Sequence, residues 1–342
     1  MPSLPHELLL AATVLLARLE LGAGSSAAAH ILQPRRRLPA SPSGLSDSFF
    51  MPPNWLDMLA AAEAEDLAMK SQLVSREDAL PGRTHKMRVS KTHYVLGTPM
   101  EGPWQEGLKR FVFANGCFWG SEKGIWRLPG GGIHSTAVGY AAGHTPNPTY
   151  QEACSGATAH AEAVQVIYDP SKISLVDILR WFWQSHDPTQ GMGQGHDRGT
   201  QYRSGAYYAD EDEKAIIEAS RDAYQGALAK AGISRRITTQ VASASDYTQL
   251  FYYAEDAHQQ YLAKPNARPY CSAQPLVVHL PPYVEWAPSG IEEKFAPKLP
   301  EAFWEAHAPT PHCVVEAPNE PIVWPMGRRL EGGGEGGGEG GG

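Results

Sequence analysis

Phe111-Val112-Phe113-Ala114, then Asn115, then Gly116-Cys117-Phe118-Trp119-Gly120, with a helical pattern running on to Leu128, is the stretch that sets the architecture. A short apolar run reads as a strand, Gly116 as the turn, and the residues after Cys117 as a helix, so the cysteine falls on a strand-to-helix junction. Unpaired backbone N–H groups and the positive end of a helix dipole favour thiolate over thiol, and the thiolate is the nucleophile of sulfur chemistry. Phe118 and Trp119 add an apolar wall beside it.

Working outward, Pro129 and the glycines after it end that helix. Ile133 to Tyr140 reads as a second strand, and Ala141 to Pro148 as a loop of turn residues. From His160 to Tyr168 the pattern alternates, with Glu162, Val164, Val166 and Tyr168 on one face, so Glu162 stands at the rim of an otherwise apolar surface. Ser174 with Asp177 forms a capping box opening a helix through His186, with Leu175, Ile178, Leu179 and Phe182 as its buried stripe. Asp187-Pro188 stops it. The loop from Thr189 to Thr200 holds four glycines, suited to close approach to a ligand. Gly205 to Ala209 is a strand, Asp210 with Glu213 caps a long helix ending at Gly232, Ile237 to Ala242 is a further strand, and Ala254 to Lys264 a last short helix. Thirteen prolines between Pro265 and Pro325 predict a segment running extended over the surface. The expected class is α+β: a mixed sheet layered with helices, two-layer and ferredoxin-like, plus an extended irregular C-terminal segment.

The formal charge of −8, with no Lys/Arg cluster in the middle of the chain, leaves no footprint for nucleic acid. Arg35-Arg36-Arg37 is the one basic run and reads as a processing or targeting remnant. Four cysteines (Cys117, Cys154, Cys271, Cys313) show neither C-x-x-C nor paired histidine spacing, which argues against zinc and against a disulfide-stapled scaffold. Leu8 to Ala17 is too short to span a bilayer. No positive charge precedes it, whereas Leu21 to Ser46 has arginines and serines and no acid. That composition favours an organelle, chloroplast or mitochondrion, over the cytoplasm, with secretion third. The divisions expected are residues 1–70 as leader and linker, 71–283 as catalytic domain, 284–330 as a Pro-rich extended segment, and 331–342, a Glu-Gly repeat, as disordered tail.

Five further stretches follow in order: GYAAGHTPNPTY (139–150), CSGATAHAE (154–162), HDPTQ (186–190), GTQYRS (199–204) and AEDAHQQYL (254–262). With GCFWG they resemble the A-type peptide methionine sulfoxide reductases over roughly Leu73 to Tyr283. The resemblance implies Cys117 as nucleophile and Glu162 as proton donor, its pKa raised by an apolar setting. It implies Tyr140 and Tyr202 on the sulfoxide oxygen, Asp187 helping to bind substrate, and Phe118 and Trp119 around the methyl group, an arrangement that admits the S epimer alone. Cys117 would become a sulfenic acid, Cys271 would resolve it, and thioredoxin would reduce the disulfide. No metal or bound cofactor is implied, and the family suggests a monomer acting on oxidised proteins and free methionine sulfoxide. Glu122 fits as a supporting residue, and Cys313 reads either as a second relay or as an inert thiol. Ala142, Ala159, Gly193 and Ala257 depart from residues common in the family. Other thiol chemistry, such as peroxide reduction, leaves the acid and the tyrosines unexplained; a redox-sensing or binding module is the alternative from another class.

Overall fold

In the computed structural model residues 55–325 are described; the leader up to residue 54 and the Glu-Gly tail lie outside the described residues. Helix α1 (Trp55–Lys70) precedes a lead-in without regular structure. Then come β1 (Lys109–Asn115), α2 (Phe118–Trp126), β2 (Ile133–Ala141), the short α3 (Tyr150–Cys154), β3 (Ala161–Tyr168) and α4 (Leu175–Gln184). Two two-residue strands, β4 (Gly193–Gln194) and β5 (Asp197–Arg198), precede β6 (Ser204–Tyr208), α5 (Glu211–Lys230), β7 (Gln240–Ser243) and β8 (Phe251–Tyr253). Helices α6 (Glu301–His307) and α7 (Cys313–Glu316) complete the described chain.

Six strands form one sheet in the order β7-β6-β1-β3-β2-β8, antiparallel throughout except for the β6–β7 pair. The fold is thus a mixed α+β architecture. Because strand side chains alternate, β1 serves two cores at once. Phe111 and Phe113 join Val138, Tyr140, Val164 and Val166 on the face covered by α2 and α4. Val112 and Ala114 join Ala137, Ala163 and Tyr207 on the opposite face, closed by Met100 and Leu250. Glu162 shares the period of Val164 and Val166, so it points toward α2. Its partner across the ladder is Tyr140.

The capping boxes form as the sequence predicts at Ser174–Asp177, and another forms at Thr149–Glu152. Asp177 has a second use: it accepts the backbone N–H groups of Lys298 and Leu299, at 2.9 and 3.2 Å. Arg180 grips Glu301 through both guanidinium nitrogens at 2.6 Å and lies over the Trp304 ring. The Pro-rich segment is mostly extended, but it does not merely run over the surface. Leu280, Phe295, Leu299, Phe303, Trp304 and Val314 enter the core cluster of α2 and α4. Burying each such side chain contributes about 1.5–3 kcal/mol toward holding the segment against the helices.

One other expectation changes. Ala254 to Lys264 is a series of turns with a 3₁₀ turn at Tyr261–Ala263 rather than a helix. The reason is tertiary: the Gln259 side chain bonds both Val138 N–H and Val138 C=O, and Gln260 takes a left-handed backbone with φ of 46°. Ala142 and Ala159, which replace family glycines, have φ of 56° and 57°. An L-residue pays for that region in steric contact with its Cβ, which explains why glycine suits both places.

Helix α2 lies against Trp181 of α4 so closely that a Cβ on Gly124 would stand 1.8 Å from Cζ2 of that ring. Gly124→Ala is therefore expected to cost about 1–3 kcal/mol through overpacking, read from urea unfolding, although alanine is the better helix former. An unchanged midpoint would mean that the two helices separate freely.

Candidate active site

Cys117 occupies the N-cap position of α2 and is 8% exposed, its thiol free. Burial pushes that thiol well above its ordinary range, Glu162 adds to the effect, and the Trp119 N–H at the helix start pulls the other way. The helix terminus does favour the thiolate, as the sequence predicts, but desolvation outweighs it. At rest Cys117 is a thiol.

Beside it, the carboxyl of Glu162 is buried and accepts the Phe118 N–H at 3.1 Å. Burial raises its pKa to about 8, opposed by that hydrogen bond and aided by Asp197. An acid with such a value is protonated at neutral pH and can hand a proton to a substrate oxygen. The same first turn of α2 therefore carries the thiol and holds the acid.

Tyr140 and Tyr202 flank this pair. The Tyr140 hydroxyl donates to Glu255 at 2.8 Å, and burial followed by the Glu255 charge keeps the phenol protonated. Tyr202, in the 3₁₀ turn Thr200–Tyr202, is raised by burial and then by Glu162 and Asp197. Phe118 is buried, with its ring 6.0 Å from that of Tyr140. Trp119 is half-buried; Tyr261 stacks on it at 4.0 Å, and His258 accepts its indole N–H at 3.1 Å.

The second thiol lies on the other side of the helix turn. Cys271 is buried, and a Cβ added to Gly120 would come within 2.6 Å of its Sγ. Gly120 is one turn after Cys117, so the glycine lets Cys271 approach the turn that carries Cys117. Burial pushes Cys271 up to about 11, with Cys313 and Asp197 contributing. Cys271 and Cys313 line one narrow cavity. Cys154 is half-buried near Glu162 and also rises to about 11.

Asp187 is not brought into this cluster. Its Oδ1 accepts from Thr189 and its Oδ2 from Gln190 and from Arg235 at 2.9 Å, so the carboxylate knits its own loop. The aspartate that does reach the site is Asp197 of β5. Its Oδ1 accepts the Tyr270 hydroxyl at 2.6 Å, its Oδ2 is buried without a partner, and its charge bears on Cys117, Glu162 and Cys271. Its place just before Gly199-Thr200-Gln201-Tyr202 was the available signal. Tyr150, Glu255, His258 and Tyr261 also surround the site without having been singled out by the sequence. Among the described residues no three His, Cys, Asp or Glu side chains converge as metal ligands.

A buried thiol, a protonated carboxylic acid and a second thiol within reach define a thiol-dependent oxidoreductase acting on a small neutral centre. The profile described as peptide methionine sulfoxide reductase matches residues 109–279. The peptide methionine sulfoxide reductase MsrA of Brucella ovis is 50% identical over 212 residues, covering 62% of this chain and 94% of that one, and the Brucella melitensis protein matches equally. Methionine sulfoxide reductase A of Corynebacterium diphtheriae superposes with a TM-score of 0.52 at 42% identity, covering 58% of this chain and 93% of that one. The chain belongs to the peptide methionine sulfoxide reductase family, A type, and its reaction is the reduction of methionine sulfoxide.

In the folded chain Glu162 keeps its proton up to about pH 8, whereas an unfolded glutamate releases it near its ordinary 4.5. The folded state thus binds more protons between those values, and the stability contributed by Glu162 is present below the lower one and lost as pH rises through the upper. Glu162→Gln should make the fall in urea midpoint from about pH 5 to about pH 8.5 shallower; an unaltered slope would mean the acid is ionised in the fold.

Proposed function

We propose that the enzyme reduces the S epimer of methionine sulfoxide, free and in proteins, by sulfenic acid chemistry, and so repairs oxidised proteins. The observation that carries this reading is the buried Glu162 carboxyl on β3 accepting the Phe118 N–H at the helix start that bears Cys117. Glu162 gives its proton to the sulfoxide oxygen as Cys117 Sγ attacks the sulfur, and the thiol proton replaces the one Glu162 has lost. The S–O bond then breaks as its hydroxyl passes to Cys117 Sγ, and the new bond between Sγ and the substrate sulfur opens with its electron pair left on that sulfur, giving the sulfenic acid and methionine. Two groups that would each resist ionisation alone are thereby coupled, so neither charge has to be borne alone in the dry pocket.

Phe118 and Trp119 on one side, with Glu162 and Tyr202 on the other, support selection of one epimer, whereas the Tyr140 hydroxyl gives its proton to Glu255. The R form would turn its oxygen to the rings and lose its donors. The unpartnered Oδ2 of Asp197 supports a role in binding the substrate, the task the sequence resemblance gave to Asp187. The nearness of Cys271 to the α2 turn supports its attack on the sulfenic acid, releasing water and forming a Cys117–Cys271 disulfide, which an external dithiol such as thioredoxin reduces. The cycle needs no metal or bound cofactor, and nothing in it calls for more than one copy of the chain. The order β6-β1-β3-β2, with α2 and α4 as crossovers, supports a ferredoxin-like, two-layer reading of the core.

With dithiothreitol and a racemic N-blocked methionine sulfoxide resolved on a chiral column, the S epimer should disappear and the R epimer remain. Cys117→Ser should abolish the loss and Glu162→Gln slow it by about 10²- to 10⁴-fold. Cys271→Ser should keep a single turnover but lose recycling by thioredoxin. Consumption of both epimers, or of neither, would overturn the reading. For the compartment, the acid-free stretch from Leu21 to Ser46 supports organellar delivery. A fluorescent protein carrying residues 1–70 should then enter a chloroplast or mitochondrion; a diffuse cytosolic signal would refute it.

A further inference from the structure

Glu122 is fully buried on α2, one turn and a residue beyond Cys117, and every hydrogen bond it makes is accepted. Its Oε1 accepts from Thr136 Oγ1 at 2.9 Å and from Gln260 Nε2 at 2.7 Å, and its Oε2 accepts the Gln260 backbone N–H at 2.8 Å. The direction of the Thr136 bond follows from its neighbour. His93 Nδ1 accepts the N–H groups of Val95 and Leu96, so Nε2 carries the hydrogen and donates to Thr136 Oγ1 at 2.8 Å. The threonine proton is then left for Glu122. Burial pushes Glu122 up to about 7, and the same donors pull it down.

What these donors hold is Gln260. Its left-handed backbone, φ 46° and ψ 39°, is one that residues with a Cβ seldom adopt without support. Its side-chain oxygen accepts the Tyr94 N–H at 3.1 Å, so all its polar groups are committed in this one conformation. On either side of it are the two rings that fix Trp119: Tyr261 follows directly and stacks at 4.0 Å, and His258, two residues before, accepts the indole N–H.

We propose that Glu122 is a positioning residue for the substrate: its carboxylate holds Gln260 left-handed and so sets Tyr261 and His258 against Trp119, the ring that receives the methionine side chain. This rests on the function proposed above. Glu122 is not a catalytic residue, since Phe118, Cys117 and Glu162 form the reacting turn without it. Its effect falls on binding of the apolar side chain, and the chemical step is left intact.

The test is Glu122→Gln in the full chain, assayed with an N-blocked methionine S-sulfoxide and dithiothreitol. The amide has nearly the same shape but must place an NH₂ among groups that only donate, leaving buried donors unmatched. KM should rise about tenfold while kcat stays within about twofold. Thr136→Val, which removes one donor at nearly constant shape, should raise KM by about threefold in the same manner and serves if Glu122→Gln does not fold. Unchanged KM, or a fall in kcat with KM constant, would overturn the proposal. Failure of the underlying reading shows separately, as wild-type protein that does not consume the S epimer.

Discussion

Everything at the site depends on the hydrogen bond from Phe118 N–H to the Glu162 carboxyl across the gap between α2 and β3. A helix start has backbone donors with no intrahelical partner, and here one is satisfied by a side chain of the central sheet. That bond fixes the distance between nucleophile and acid, and it exists only because Glu162 falls on the helix-facing period of β3. A one-residue slip in the β1–β3 or β2–β3 register would turn the acid to the other face. The length and regularity of those central ladders are thus conditions of the chemistry as well as of stability.

Burial has opposite meanings for the groups gathered there. It keeps a proton on Glu162 at neutral pH, available for donation, and it disfavours the thiolate of Cys117. The tyrosines and Glu255 extend the polar side, and the negative charge of Asp197 helps the acid keep its proton. On the apolar side, Trp119 is held by a stacked ring and an imidazole.

The sequence makes β3 legible through alternation and α4 through its capping box, because both are local signals that packing reinforces. The resemblance points to Cys117, Glu162, Tyr140, Tyr202 and Cys271, and the fold gathers Cys117, Glu162 and Cys271 around the first turn of α2. Asp197 is not, since it stands on a two-residue strand too short to carry a period, while Asp187 before Pro188 looks prominent and is spent on Thr189, Gln190 and Arg235. Ala254 to Lys264 has good helix formers, yet Gln259 and Gln260 find partners on β2 and α2 that a helix would turn away. Such choices depend on residues more than a hundred positions distant, which local pattern does not contain.

The C-terminal segment has a consequence for how the molecule is made. Lys123 donates to the carbonyl of Ala317, Trp126 to that of Asn319, and Arg127 offers its carbonyl to the N–H of Ile322. These ties close the helix that begins at Cys117, and they join it to residues 194 and 193 positions further along the chain. While the chain is being translated, α2 and α4 must wait with their outer faces uncovered, since the side chains that cover them do not yet exist. Until residues 280–322 have been added, the apolar faces of α2 and α4 that they cover are left open to association with other chains.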